Sequence, residues 1–566
     1  MINQMIEFSK ELRDSRFYDL LEEKAQDLVY VIIPPEDKKK FYFVLDEKYY
    51  DKVNLLENAR KIDDVNDDLR EILKNVKVLT AKLPGDEKGN KSIKGNKGTN
   101  SYNLFIFQGP KPKNGDFTKK IMLVYNSETL KSFKNRVKED LLEKLIFKGD
   151  EAKFLYEKVN DMSLKVFNKE YEEIYKNIYF VFELENKELY KDFHQKYLKE
   201  KVFAVENVKE YGICPICGKK DIISIPGVFH TLNVKKPFLK HLGRKTEYNI
   251  MICKDCAFEL TTFLEKFLKK FSIFPLLSKK KLRELEIKFL KSSGEKLSFR
   301  EILEQVFKEV DVNDLILDFY LIIYKDDFVY VDYVSNFRYY YNETNIFEIE
   351  NYLDKMFDNF LVKNYFGSIT IKNNLLAKNI YKYRENIFDF IYRARYDSLS
   401  KETIDNIFYD SLVCYLKGLY SEEKNFLKKI EKAFESYKKL NKIFGGDFME
   451  KTEKVETEDL EKIEDSYQYY YLLGKLTRFL LSQSKISNKT HALVEPFINV
   501  NSSKVMLERI YELFTKYKHA INFYNEKFDK IFGLILNYFN SGKLPEKVSK
   551  NDKFYFFEGY FSSRKL

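Results

Sequence analysis

"YGICPICGKKD" (residues 211–221) and "NIMICKDCAFE" (residues 249–259) together hold four of the five cysteines of a 566-residue chain. Each stretch carries a Cys-x2-Cys pair, Cys214/Cys217 and Cys253/Cys256, with 35 residues between the pairs. A two-residue gap lets both sulfurs of a pair turn into one site. Two such knuckles close a tetrahedral four-thiolate cage, the coordination of structural zinc; an iron–sulfur cluster is the other group four thiolates hold. A closed shell leaves no position for water, so Zn2+ is expected to staple the chain rather than to catalyse. Pro215 and Gly218 suit the tight knuckle turn, and Lys219 and Lys220 can soften the charge of the centre. The segment between the pairs has weak apolar periodicity, so metal binding would supply its folding free energy. His230 and His241 lie inside that segment but face a shell already filled, and Cys414, in "SLVCYLKGLY", reads as core.

Working outward, the N-terminal side alternates helical and strand patterns. Residues 3–28 and 50–80 have helical spacing, whereas "LVYVIIPP" (28–35) and "KFYFVLD" (40–46) are β-branched and aromatic, as strands are. "YNLFIFQG" (102–109), "KKIMLVYN" (119–126) and "IYFVFELE" (178–185) are further expected strands, with a helical stretch over 127–175. "AFELTTFLEKFLKKF" (257–271) reads as an amphipathic helix, and 315–336 as a hairpin whose turn holds Asp326 and Asp327. From about residue 376 only helical patterns follow. The expected fold is α+β: a mixed α/β N-terminal region, an inserted four-cysteine zinc module and a C-terminal all-helical bundle. The boundaries expected are 1–205, 206–275, 276–375 and 376–566. The densest apolar run, "LILDFYLIIY" (315–324), is too short to span a bilayer, and the acidic opening lacks the apolar core of a leader. A cytoplasmic protein without membrane contact is expected.

The formal charge is +10, but residues 211–300 alone sum to +11. Lys235, Lys236, Lys240 and Arg244 lie there, between the cysteine pairs. The Gly/Asn/Lys-rich loop 82–101 carries Lys88, Lys91, Lys94 and Lys97. Such clusters are the electrostatic footprint of phosphate binding, and both groups are candidates for nucleic-acid contact. Several enzyme signatures are missing. There is no P-loop, because Asn90 stands where its second glycine belongs in "GDEKGNKS" (85–92), and no His-Glu-x-x-His occurs. "GGDF" (445–448) matches the metal-binding turn of polymerase and cyclase palms, with Asp447 as ligand. It follows a helical pattern and lacks strand neighbours, and glycine after a helix is an ordinary stop signal.

"GICPICGKKD…MICKDCAFEL", with the chain length and the architecture around it, resembles the split zinc module of the type I-B Cascade large subunit, the b branch of the Cas-eight family. The resemblance implies a non-enzymatic subunit of a CRISPR RNA-guided complex. Its partners would be other Cascade subunits, CRISPR RNA, target double-stranded DNA and a separate helicase–nuclease. It would help recognise the PAM, open the duplex and stabilise the R-loop, while base pairing by the guide reads the sequence. Only the four cysteines transfer residue by residue. The family also makes its helical C-terminal part separately as a small subunit. "GGDFM" can encode a ribosome-binding sequence before Met449, so a product spanning 449–566 is expected. Two other readings are a nucleotide polymerase or cyclase using Asp447, and a zinc-stapled scaffold for protein partners.

Overall fold

The computed structural model describes residues 1–20, 29–45, 50, 58–80, 103–108, 137–166, 178–203, 209–229, 250–293, 297–310, 316–325, 328–417, 426–457, 460–484, 491–522 and 524–562. The chain is a mixed α+β protein with several small sheets, a four-cysteine cluster and a helical C-terminal region. It divides into two units, one of residues 1–276, 280–298 and 323–330 and the other of 277–279, 299–322 and 331–566.

In the first unit, α1 (Ile2–Asp14) turns Met5, Ile6, Phe8 and Leu12 inward, the three-to-four spacing of a one-sided helix. A five-stranded sheet follows, ordered β3-β2-β1-β5-β4. Its centre is β1 (Val29–Ile33) and β5 (Ile178–Phe182), every residue of which is buried. They run parallel with Val29 opposite Ile178, and strands covered on both faces need such uninterrupted apolar runs. β2 (Tyr42–Leu45) returns antiparallel to β1, and β4 (Ile106–Gln108) is antiparallel to β5. β3 (Ala59–Lys61) lies parallel to β2, inside the stretch where spacing predicts helix. Asn58, at φ 72°, breaks the helical path, and its carbonyl accepts from Phe43 N, seeding the pairing. α2 (Asp67–Lys74) begins where the Asn66 side chain accepts from Leu69 N at 2.7 Å. α3 (Gly149–Val166) and α4 (Glu188–Lys201) complete this part. The strand expected at 119–126 lies outside the described residues.

Beyond it, β6 (Glu210–Ile213), β7 (Lys220–Ser224) and β8 (Ile252–Cys253) form a three-stranded sheet that runs into α5 (Lys254–Thr262). The helix continues through a wider π-type turn (Phe263–Phe267) and a 3-10 turn ending at Lys270. Phe8 of α1 meets Phe263, Phe267 and Phe274 at 5.7–5.9 Å. α6 (Lys280–Ser293) is tied to α1 by Arg283, which donates to the Glu11 carboxylate at 3.0 and 2.9 Å. The expected hairpin is present as β10 (Ile316–Lys325) and β11 (Phe328–Arg338), joined in their sheet by β9 (Ile273–Leu277). Its tip, with Asp326 and Asp327, is outside the described residues.

The second unit is mainly helical. α7 (Phe299–Val310) and α8 (Ile346–Met356) precede α9 (Asn374–Tyr392), α10 (Lys401–Leu416), α11 (Phe426–Ile443) and α12 (Phe448–Thr457). α13 (Ser466–Ser482), α14 (Ser503–Tyr517), α15 (Glu526–Asn540) and α16 (Lys550–Phe561) follow. Asn373, Ser400 and Asn525 cap α9, α10 and α15 with their side chains. Phe408 stacks on Tyr437 at 4.0 Å, and Phe554 meets both rings. α13 and α16 touch backbone to backbone at Gly474 and Gly559. A Cβ on either would lie 1.9 Å from a carbonyl oxygen, Phe556 O or Tyr471 O.

Candidate metal centre

Cys214 directly follows β6, and Cys217 lies in the turn that leads to β7. The turn is a tight knuckle: Cys214 N donates to Lys219 O at 2.8 Å and Gly218 N to Cys214 O at 2.9 Å. Gly218 sits at φ 71°, a left-handed conformation that favours glycine. The second pair comes from a different local structure. Cys253 closes β8 and caps α5 from an extended backbone, and Cys256 falls in the first turn of that helix. β7 pairs with both β6 and β8, with Ile223 opposite Cys253, so the sheet carries the two pairs to one place.

The four sulfurs all lie within 4.8 Å of one another. A tetrahedron with Zn–S bonds of ~2.3 Å has sulfur–sulfur edges of ~3.8 Å, which this cluster matches in scale. Cys217 Sγ and Cys253 Sγ are 3.5 Å apart, too far for a disulfide, and all four cysteines are free. Cys214, Cys253 and Cys256 are buried, and Cys217 is half-buried. Burial pushes the Cys214 thiol up, but amides of Cys253, Cys217 and Ile216 aimed at it prevail and bring it down to about 7. Burial drives Cys253 up to about 11 and raises Cys256 further, helped by the neighbouring sulfurs. A divalent cation inverts that balance by drawing every thiol to thiolate. The donor set and the amide pointing at Cys214 Sγ (Cys253 N, 3.4 Å) therefore fit a thiophilic metal ion, which the four cysteines could hold.

The surroundings tie the centre to α1 and α4. Arg13 donates to both carboxylate oxygens of Glu259 on α5 at 2.9 and 3.0 Å, and Ser9 Oγ bonds the same carboxylate at 2.9 Å. Lys199 lies 3.3 Å and Lys219 3.9 Å from Asp255. Lys220 instead sits over the Tyr211 ring at 5.6 Å. Four cations, Lys10, Arg13, Lys199 and Lys219, line a cleft next to Cys217 and Cys256, with Asp255 and Glu259 between them.

The other expected sites are placed as follows. Lys88, Lys91, Lys94 and Lys97, and Lys235, Lys236, Lys240 and Arg244, lie outside the described residues, as do His230 and His241. Asp447 stands in the link between α11 and α12, not on a strand turn, its carboxylate 2.7 Å from Lys451. Gly445 has φ 82°, and the Asn441 side chain fills the space over Gly446 and accepts from Phe448 N. That is a helix stop and restart. Cys414 is buried on α10, and burial pushes its thiol up to about 12. Among the described residues no helix is long and apolar enough to cross a membrane. A basic, acid-free stretch over residues 359–384 was not singled out from sequence, although its composition would have revealed it. No family profile matches the chain, and no curated protein matches it.

Proposed function

We propose that the chain is the large subunit of a type I-B CRISPR Cascade complex, a non-catalytic protein that binds DNA. In this reading the cysteine cluster is a structural zinc module inserted behind a mixed α/β N-terminal region, and the C-terminal helices form a bundle. The observation that carries it is the four-sulfur cluster built from two Cys-x2-Cys pairs, in a chain with one lysine-rich segment between those pairs and another in the N-terminal region. Cys214, Cys217, Cys253 and Cys256 would hold Zn2+, which supplies a rigid cross-link and no reactive position. The lysines of 82–101 and of 235–244 would track phosphates of target DNA, while guide pairing supplies sequence specificity. PAM recognition, R-loop stabilisation and recruitment of the helicase–nuclease belong to the same assignment. So does a small-subunit product started at Met449.

The test is co-expression of the chain with the proteins encoded beside its gene and a CRISPR array. The expected result is one particle containing the chain, guide RNA and zinc, which binds a matching duplex only when the PAM is present. A chain that never joins a guide-containing particle overturns the proposal.

A further inference from the structure

Residues 359–384 hold five cations and not one acid, in a chain where a third of all residues are charged. The segment also carries five aromatic rings. It runs from the end of α8 through a loop into the first half of α9, within the second unit. Lys363, Lys372 and Lys378 are exposed and take part in no ion pair among the described residues. Phe360, Phe366 and Tyr381 are exposed by 37%, 36% and 48%, which decides that their rings reach solvent rather than core.

The loop is held in shape from beneath. Asp354 Oδ1 accepts from Leu361 N at 2.8 Å and Val362 N at 3.2 Å. Arg384 donates to the carbonyls of Asn364 and Gly367 at 3.1 and 3.0 Å and lies 4.4 Å over the Tyr381 ring. The Tyr381 hydroxyl accepts from Ile369 N at 3.1 Å. Gly367, at φ 77°, allows the turn between these anchors. Phe366 is braced edge-on by Phe388 at 5.0 Å. A preordered surface of this kind loses little entropy when a ligand docks.

We propose that this surface binds single-stranded nucleic acid, with Lys363, Lys372 and Lys378 taking phosphates and Phe366 and Tyr381 stacking on bases. The segment itself contributes no acid, and Lys363, Lys372 and Lys378 stay outside the ion pairs that Asp410 and its neighbours make, which favours a polyanion. The exposed rings select unpaired bases, whose faces are open, over a duplex, whose bases are already stacked. The proposal rests on the nucleic-acid reading above and adds the surface that meets the unpaired strand.

The experiment measures fluorescence anisotropy of a labelled oligothymidylate of about twenty nucleotides with the intact chain across a salt series. The triple variant Lys363→Gln/Lys372→Gln/Lys378→Gln is expected to bind at least about tenfold more weakly at low salt. Its plot of log Kd against log salt should flatten by about 2, from ~0.7 per phosphate contact on a single strand. Phe366→Leu should weaken oligothymidylate without changing that slope, and an iodouracil oligonucleotide should crosslink to Phe366 or Tyr381. Oligouridylate in parallel tells DNA from RNA as the source, and either result fits the surface. A triple variant with native circular dichroism, unchanged affinity and unchanged slope overturns the proposal, as does loss of a protein partner with oligothymidylate binding intact. A quadruple glutamine variant at Lys88, Lys91, Lys94 and Lys97 separates the two readings. If only that variant loses binding, this surface is rejected and the nucleic-acid reading stands. If the intact chain binds no nucleic acid, both fall.

Discussion

Around the cysteine cluster, Tyr211, Ile213 and Ile222 share one face of the β6–β7 hairpin and are each at least half exposed. In the C-terminal region, Tyr469, Tyr470 and Tyr471 are wholly buried on α13. The contrast shows two ways of holding a fold. Burying a large apolar side chain is worth about 1.5–3 kcal/mol, so the helices can be sustained by their aromatic core. The hairpin leaves that free energy in water. Its order must come from elsewhere, and four sulfurs in one cage are what it has in place of a core.

The largest effect that would sharpen this contrast is metal removal. A structural zinc site contributes an apparent ~10–16 kcal/mol at neutral pH, so a strong chelator, or Cys256→Ser, should abolish hydrogen-exchange protection over 209–229, whereas α5, packed on α1, should keep part of its own. The α13 and α16 amides should keep theirs. Loss of protection in both regions, or in neither, breaks the comparison. Elemental analysis should give one zinc per intact chain.

The reverse perturbation is smaller. Gly559→Ala places a Cβ 1.9 Å from Tyr471 O, a backbone atom that can move only if α13 and α16 separate. Overpacking of this kind costs about 3 kcal/mol. It should lower the melting transition of the helical region while zinc content and hairpin protection stay unchanged. Unchanged melting would mean that the helix pair tolerates a wider spacing than the wild-type contact.

The smallest effect is electrostatic. Glu350 on α8 is buried; burial raises its carboxyl above the ordinary value, although Tyr365 donates to it at 2.8 Å. A raised folded value means that the native state holds the proton more tightly than the unfolded chain. The stabilisation from the protonated acid is complete below the unfolded value of about 4.5 and is lost as pH rises through the folded value. Glu350→Gln, which keeps a neutral amide, should therefore stabilise the helical region at neutral pH, by less than the glycine change destabilises it. The gain should vanish below about pH 4, as thermal melts across pH would show. A gain independent of pH would place the cause outside this titration.

Much of this was legible in advance where the signal was local. The all-buried strands β1 and β5 announce themselves as "VYVII" and "IYFVF", since a strand covered on both faces must be apolar throughout. The knuckle cysteines are legible because two-residue spacing constrains sulfur geometry by itself. β3 was not legible: Ala59-Arg60-Lys61 has no strand character, and it is a strand because β2 offers its edge beyond Asn58. "GGDF" promised either a catalytic turn or a helix stop, and the α11–α12 junction around it is the stop.

The binding surface at 359–384 marks the same divide. Its five cations without an acid are written in the composition, yet Tyr381 and Tyr383 look alike on the page. One is 48% exposed and the other 5%, because two steps along a helix turn a side chain to nearly the opposite face. By itself, then, the amino-acid order settled which sulfurs could hold a metal ion and where charge accumulates along the chain. Which rings meet water, and whether two cysteine pairs separated by 35 residues converge, was decided only in three dimensions, since both depend on packing partners distant in the chain.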